Sequence, residues 1–306
     1  MKKSTKSKII IILGPTASGK SDLAVKMAKR FNGEIISADS RQVYKGLNIG
    51  SGKITKKEMR GVPHYLLDVA SPKKTFTAEQ YKKLAQKAIK KIIHNKKIPI
   101  ICGGAGLYID SVIYDYQFPK VPPNLKLRKQ LEKLSTEELF KKLSQLDKRR
   151  SKNIDKNNSR RLIRAIEIIE KLGKVPLLTL KQTKNKNSSY EFLKIGILLE
   201  QEKLKANIKK RLYKRLKIGM IKEVENLHNL QNKQGLNWKR LDDLGLEYRY
   251  ISQYLRELIS KKEMEELIIK ESIKYSKRQM TWFNRDKNIY WINSSKQAIN
   301  ITKNFL

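Results

Sequence analysis

Residues 14–21, Gly14-Pro15-Thr16-Ala17-Ser18-Gly19-Lys20-Ser21, fill every fixed position of the pattern G-x-x-x-x-G-K-[ST]. In such a loop, successive backbone N–H groups and the positive end of the following helix surround a polyphosphate. Lys20 would add a mobile positive charge, and the Ser21 hydroxyl could ligate Mg2+. A glycine-rich strand-to-helix turn without a ligand is the plain alternative. Context argues against it: an apolar run at 8–13 precedes the loop and a helical pattern over Lys20–Arg30 follows it, the placement the motif needs.

A second candidate, Asp39, follows another apolar run at 34–38, within Ser37-Ala38-Asp39-Ser40-Arg41-Gln42. In an open parallel sheet, ligands bind outside the carboxyl ends of the strands, which places Asp39 in the same crevice as the phosphate loop. A carboxylate there can take a proton from an attacking nucleophile as general base. It can equally cap the next segment or hold Mg2+ through water, and position alone does not choose. Nor does a phosphate loop name its phosphate. Nucleotide hydrolases and kinases place a metal-binding Asp at the end of a second buried strand. The equivalent run here, Ile98-Pro99-Ile100-Ile101-Cys102-Gly103-Gly104, ends without an acid, and Asp68 after Leu66-Leu67 is a weaker candidate.

The elements that must position these groups follow from periodicity. Apolar runs at 8–13, 34–38, 65–69, 98–102 and 193–199 have the length of buried strands, and helical patterns such as Lys20–Arg30 and Ala78–His94 separate several of them. That alternation predicts an α/β fold, a parallel sheet with helices on both faces. From about 118 to 190 the texture changes. Pro119, Pro122 and Pro123 open a stretch without a good strand, rich in Lys and Arg and in helical patterns. Ser135-Thr136-Glu137-Glu138 has the form of a capping box, and Gly173 closes a helix that begins near Ser159. The expected organisation is a core at 1–117, an inserted all-helical lobe at 118–190, and a final core strand with helical C-terminal region at 191–306. Ser260-Lys261-Lys262-Glu263 caps a further helix over 264–278, and a short aromatic strand is expected at 289–292.

Composition narrows the partners. Lys and Arg number 68 against 29 acids, a formal net charge of +39. AT-rich coding accounts for part of a Lys-, Ile- and Asn-rich chain, yet such a field still attracts polyanions, so nucleic acid or a diphosphate leads the list. The single cysteine, Cys102, allows no internal disulfide, and with three histidines no Cys/His metal cluster is expected. No run approaches the length of a membrane span. The expectation is a soluble, cytoplasmic monomer.

Taken in order, these residues resemble the tRNA dimethylallyltransferase family. The resemblance is carried by Gly14–Ser21, by Ile36 to Tyr44 with Asn48-Ile49-Gly50, by Val62-Pro63-His64-Tyr65-Leu66-Leu67-Asp68 and by Gly103-Gly104-Ala105-Gly106-Leu107-Tyr108. It continues through Ser159-Arg160-Arg161-Leu162-Ile163-Arg164-Ala165-Ile166-Glu167 and Lys277-Arg278-Gln279-Met280-Thr281-Trp282-Phe283. It implies a fold of the P-loop NTPase type, and a loop that holds dimethylallyl diphosphate with Mg2+ rather than ATP. Asp39 would deprotonate N6 of an adenosine next to the anticodon, in tRNAs reading codons that begin with U, while Lys20 stabilises departing diphosphate. The base must be flipped out of the anticodon loop. Asp39, Ser40, Arg41 and Gln42 would touch it and its neighbour. Ala105, the segment Arg160, Arg161, Leu162, Ile163 and Arg164, and Arg211, Arg278, Gln279 and Arg285 would complete the tRNA contacts.

The chain departs from the pattern twice. The family has Thr where this chain has Ala105, losing a hydroxyl that would meet the diphosphate, a role Ser18 could take over. In Leu241-Asp242-Asp243-Leu244-Gly245-Leu246-Glu247-Tyr248 the aromatic is shifted from the family's Gly-Tyr pair. On pattern alone, Arg160, Arg161 and Arg164 suit a solvated face opposite Leu162, Ile163, Ile166 and Ile169. Trp282 and Phe283 suit the core, and His64 suits a structural role. Two other readings remain: a kinase or prenyltransferase acting on a free small molecule, and a non-catalytic RNA-binding protein on a phosphate-loop scaffold.

Overall fold

A computed structural model describes residues 6–176, 189–229 and 235–306. The chain begins β1 Ser7–Leu13, α1 Lys20–Arg30, β2 Gly33–Ala38, α2 Lys56–Met59, β3 His64–Tyr65, α3 Ala78–His94, β4 Ile98–Gly103 and α4 Gly106–Ile113. Four helices follow: α5 Leu125–Leu131, α6 Thr136–Leu146, α7 Lys148–Ser151 and α8 Ser159–Leu172. Then come β5 Tyr190–Ile197, α9 Gln201–Lys217, α10 Met220–Asn229, α11 Trp238–Leu244, α12 Leu246–Leu255, α13 Lys261–Phe283, β6 Tyr290–Ile292 and α14 Ser295–Phe305.

The strands form one six-stranded sheet in the order β3-β2-β4-β1-β5-β6, and every pairing in it is parallel. Alternate residues of β1 enter separate cores. Ile9, Ile11 and Leu13 pack with Tyr81, Ile89 and Phe283, whereas Ile10 and Ile12 pack with Ala24, Met27 and Ala298. A strand turns successive side chains to opposite faces, so both faces of the sheet are covered by helices.

Compactness divides the chain into Met1–Asp115 with Asn185–Leu306, and Tyr116–Lys184. The described part of the second unit is helical. Leu139 and Leu143 of α6 and Leu162, Ile166 and Ile169 of α8 are buried together in its own small core. The last stretch expected in the lobe, 177–188, lies outside the described residues. Capping boxes at Ser135 and Ser260 are formed as the sequence suggests, and Gly173 ends α8 with φ 75°.

Several element bounds differ from those expected. The strand expected at 65–69 is only His64–Tyr65, because Leu66 and Asp68 turn into the left-handed region at φ 64° and 56° and break the ladder. Strand β5 runs from Tyr190 to Ile197 rather than over 193–199, so it begins at the last residue expected in the lobe. Helix α13 runs on to Phe283, past the expected 278, because that end is held down by buried Gln279 and Phe283.

Candidate active site

The phosphate loop joins β1 to α1 at the carboxyl edge of the sheet. Ala17 and Gly19 have φ 61° and 85°, the alternation that turns backbone N–H groups toward one point. No side chain caps the N-terminus of α1, so its first N–H groups lack the partner a Ser or Asp would supply elsewhere. Ser18 Oγ is buried and has no hydrogen-bond partner among the described residues. Lys20 Nζ donates to the Pro15 carbonyl of its own loop at 3.1 Å, and burial lowers its pKa.

Asp39 leaves the end of β2 and lines the same cavity of ≈ 470 Å³ as Thr16 to Asp22, Gln42 and Arg211. One oxygen, Oδ1, accepts the backbone N–H groups of Arg41 at 2.8 Å and Gln42 at 3.2 Å. The carboxylate is therefore an anchored turn cap as well as a cavity group. Gln42 Nε2 donates to the Gly52 carbonyl at 3.2 Å. Ser40 is half-buried beside them. Arg41 Nε donates to the Leu244 carbonyl and Nη1 to Ser40 at 3.2 Å, so its guanidinium is tied to backbone.

Several walls escaped the sequence reading. Ser51, Gly52, Ile54, Glu58, Leu199, Lys203, Asn207 and Lys210 also line the cavity. Asn207 Nδ2 donates to the Ala17 carbonyl at 3.2 Å. Glu223 accepts from the N–H groups of Asn48, Ile49 and Gly50 at 2.9, 2.7 and 2.9 Å, and from Tyr248 Oη at 3.0 Å. This bond holds the turn that carries Ser51 and Gly52. Tyr248, whose shifted position clouded the family pattern, is thus a buried brace. The spacing of helix α9 offered no hint of Asn207, because which turn of a helix meets a loop is a tertiary fact. Burial and the neighbouring Arg215 lower the Arg211 pKa.

Among the other expected site residues the structure draws distinctions. Ala105 is the N-cap of α4 and makes no side-chain capping bond. Arg278 is exposed, above the Tyr275 ring at 5.8 Å, and Arg285 lies 3.9 Å over the Trp282 ring. In the lobe Arg160 and Arg161 are exposed, but Leu162 and Ile163 are buried in the lobe core. Arg164 turns inward, donating to Glu167 at 2.8 Å and to the Val121 carbonyl at 2.8 Å. Gln279, expected at the RNA, is buried and bonded within the protein. Asp68, the weaker candidate for a metal acid, is paired with Lys53. His64 Nδ1 lies 2.8 Å from the Val62 carbonyl, and burial depresses its pKa.

Among the described residues no group of three or more His, Cys, Asp or Glu is placed to hold a metal ion. The oxygen donors Ser21, Asp39 and Glu58 around the cavity suit Mg2+, which keeps several waters and takes most other ligands from substrate phosphates. Strand β4, next to β1 in the sheet, ends at Gly103 without the acid of a nucleotide hydrolase.

A wholly parallel sheet, with a phosphate loop and a strand-end carboxylate facing one cavity, defines a phosphate-loop α/β protein. Comparison with known proteins places it more narrowly. The IPP transferase family model matches residues 42–286. A protein named tRNA dimethylallyltransferase from Anoxybacillus flavithermus is 41% identical, covering 95% of this chain and 92% of its own. The crystal structure of a tRNA delta(2)-isopentenylpyrophosphate transferase from Staphylococcus epidermidis matches with TM-score 0.71 at 38% identity, over 98% of this chain and 100% of that one. A eukaryotic dimethylallyltransferase acting on tRNA, at 24% identity, shares the fold with TM-score 0.77 over 98% of this chain and 79% of its own. The chain belongs to the IPP transferase family.

Among the described residues no helix is long and apolar enough to cross a membrane.

Proposed function

We propose that the chain transfers the dimethylallyl group of dimethylallyl diphosphate to N6 of the adenosine 3′ to the anticodon, in tRNAs reading codons that begin with U. The observation that carries this reading is the shared cavity of Lys20 and Asp39, in a protein whose relatives bear that name. The bond from the allylic carbon to diphosphate oxygen breaks, a bond from that carbon to N6 forms, and the N6 proton passes to the Asp39 carboxylate. An allylic carbon readily carries delocalised positive charge, so the site mainly orients the amine and stabilises the leaving group. The α1 N-terminus, Lys20 and Arg211 supply that stabilisation. Mg2+, held by Ser21 and the diphosphate oxygens, would neutralise further leaving-group charge.

On this reading 1–117 and 191–306 make the catalytic core, and the lobe at 118–190 grips RNA. Within the lobe, exposed Arg160 and Arg161 suit RNA phosphates; within the core, exposed Arg278 and Arg285 suit RNA phosphates too, and Ser40, Arg41 and Gln42 suit the flipped base. The protein would act as a monomer in the cytoplasm. The test is incubation with labelled dimethylallyl diphosphate plus tRNA, with ATP, or with free AMP, followed by nucleoside mass spectrometry. Label in a tRNA adenosine is expected. Label in AMP alone, or phosphoryl transfer from ATP, would sink the proposal.

A further inference from the structure

Gln279 sits on α13 at 6% exposure, and both ends of its amide are engaged far along the chain. Oε1 accepts the Thr16 backbone N–H at 2.8 Å, and Nε2 donates to the Gly104 carbonyl at 2.9 Å. One side chain thereby bridges the phosphate loop and the turn from β4 into α4. The bridge explains a glycine: a Cβ built on Gly104 would stand 2.1 Å from Gln279 Nε2. It also orders the loop's donors. Pro15 has no N–H, the Thr16 N–H goes to Gln279, and the Ser18 N–H goes to the Pro15 carbonyl at 3.3 Å. The donors left for an anion are those of Ala17 and Gly19 and those opening α1, which no side chain caps. Backbone donors bind an anion well only when they converge before it arrives, since ordering a loose loop lowers affinity.

We infer that Gln279 is a positioning residue of the diphosphate site, fixing the phosphate loop from α13, and not a contact to RNA. The ligand's identity rests on the function proposed above; the bridge itself does not. Its partners are backbone atoms of the loop and the β4–α4 turn, so its loss acts on anion binding.

The experiment compares the wild-type chain with Gln279→Ala, Gln279→Glu and Gly104→Ala. Inorganic pyrophosphate with Mg2+ is titrated calorimetrically without tRNA, tRNA binding is measured separately, and steady-state kinetics with dimethylallyl diphosphate follow. Gln279→Ala should weaken pyrophosphate roughly tenfold, as expected for two lost hydrogen bonds. It should raise KM for the diphosphate more than it lowers kcat, and leave tRNA affinity unchanged. Gly104→Ala, which presses on the bridge from its other end, should give the same signature. Gln279→Glu preserves volume and stays interpretable if the alanine variant does not fold. It keeps an acceptor for Thr16 but loses the donor to Gly104, so its pyrophosphate affinity should recover as pH falls and the carboxyl protonates. A loss of tRNA affinity with pyrophosphate binding intact would make Gln279 an RNA contact and overturn the inference. Unchanged pyrophosphate binding in all three variants would overturn it too. If wild type fails to bind pyrophosphate, the proposed function fails instead.

Discussion

Lys20 folds back on its own loop, its Nζ donating to the Pro15 carbonyl at 3.1 Å. The ammonium is desolvated there, which lowers its pKa from 10.5, and the neutral carbonyl only partly satisfies it. A diphosphate oxygen is a stronger acceptor because it is charged. The loop therefore already holds its cation near the place where phosphate would sit.

From this comes the first prediction. Lys20→Ala should weaken pyrophosphate by about 10–100-fold, matching the ~1.5–3 kcal/mol of a hydrogen bond to a charged group. The charged ammonium is the form that holds an anion, so wild-type binding should be full below the lowered pKa and decline as pH rises through it. Calorimetric titrations carried into the alkaline range should show that decline in wild type and none in Lys20→Ala.

Asp39 has two jobs that substitution can separate. Asparagine keeps an oxygen able to accept the Arg41 and Gln42 N–H groups but cannot take a proton at neutral pH. Asp39→Asn should therefore melt like wild type while single-turnover prenyl transfer falls ~10²–10⁴-fold. Asp39→Ala should lose both. Near-normal turnover by the asparagine variant would reduce Asp39 to a turn cap.

The arginines of α8 should divide in the same way. Replacing exposed Arg160 and Arg161 by Ala should flatten the salt dependence of tRNA binding by up to two phosphate contacts, each ~0.7–0.9 in the log–log slope. Arg164→Ala should leave that slope alone and cost the lobe about 1–2 kcal/mol, a figure discounted for its partial exposure. Its loss strips buried Glu167 of one partner while Arg128 remains. Equal effects of both replacements on the slope would refute the division.

Ala105 opens α4 without a capping side chain, so Ala105→Thr has two expected outcomes. A hydroxyl at an N-cap stabilises by about 1 kcal/mol, which in a chain of this size raises Tm by ~2–3 °C. If the same hydroxyl reaches the diphosphate, kcat/KM for dimethylallyl diphosphate should also rise several-fold. A higher Tm with slower turnover would mean that the threonine caps the helix and crowds the pocket.

The sequence by itself determined what depends on near neighbours. The phosphate loop, the bounds of α1 and α3, the boxes at Ser135 and Ser260 and the stop at Gly173 rest on backbone sterics, local hydrogen bonds and periodicity within a turn or two. Tertiary structure decided which member of a repeated pattern meets which partner. Arg160 and Arg164 lie one helical turn apart, yet one is exposed while the other is folded onto Glu167 and Val121. Gln279 belongs to a basic segment with Arg278, but its partners are 175 and 263 residues away. Asn207 reaches the phosphate loop across 190 residues. Helical spacing states which residues share a face, and only the packing of distant elements states what that face touches.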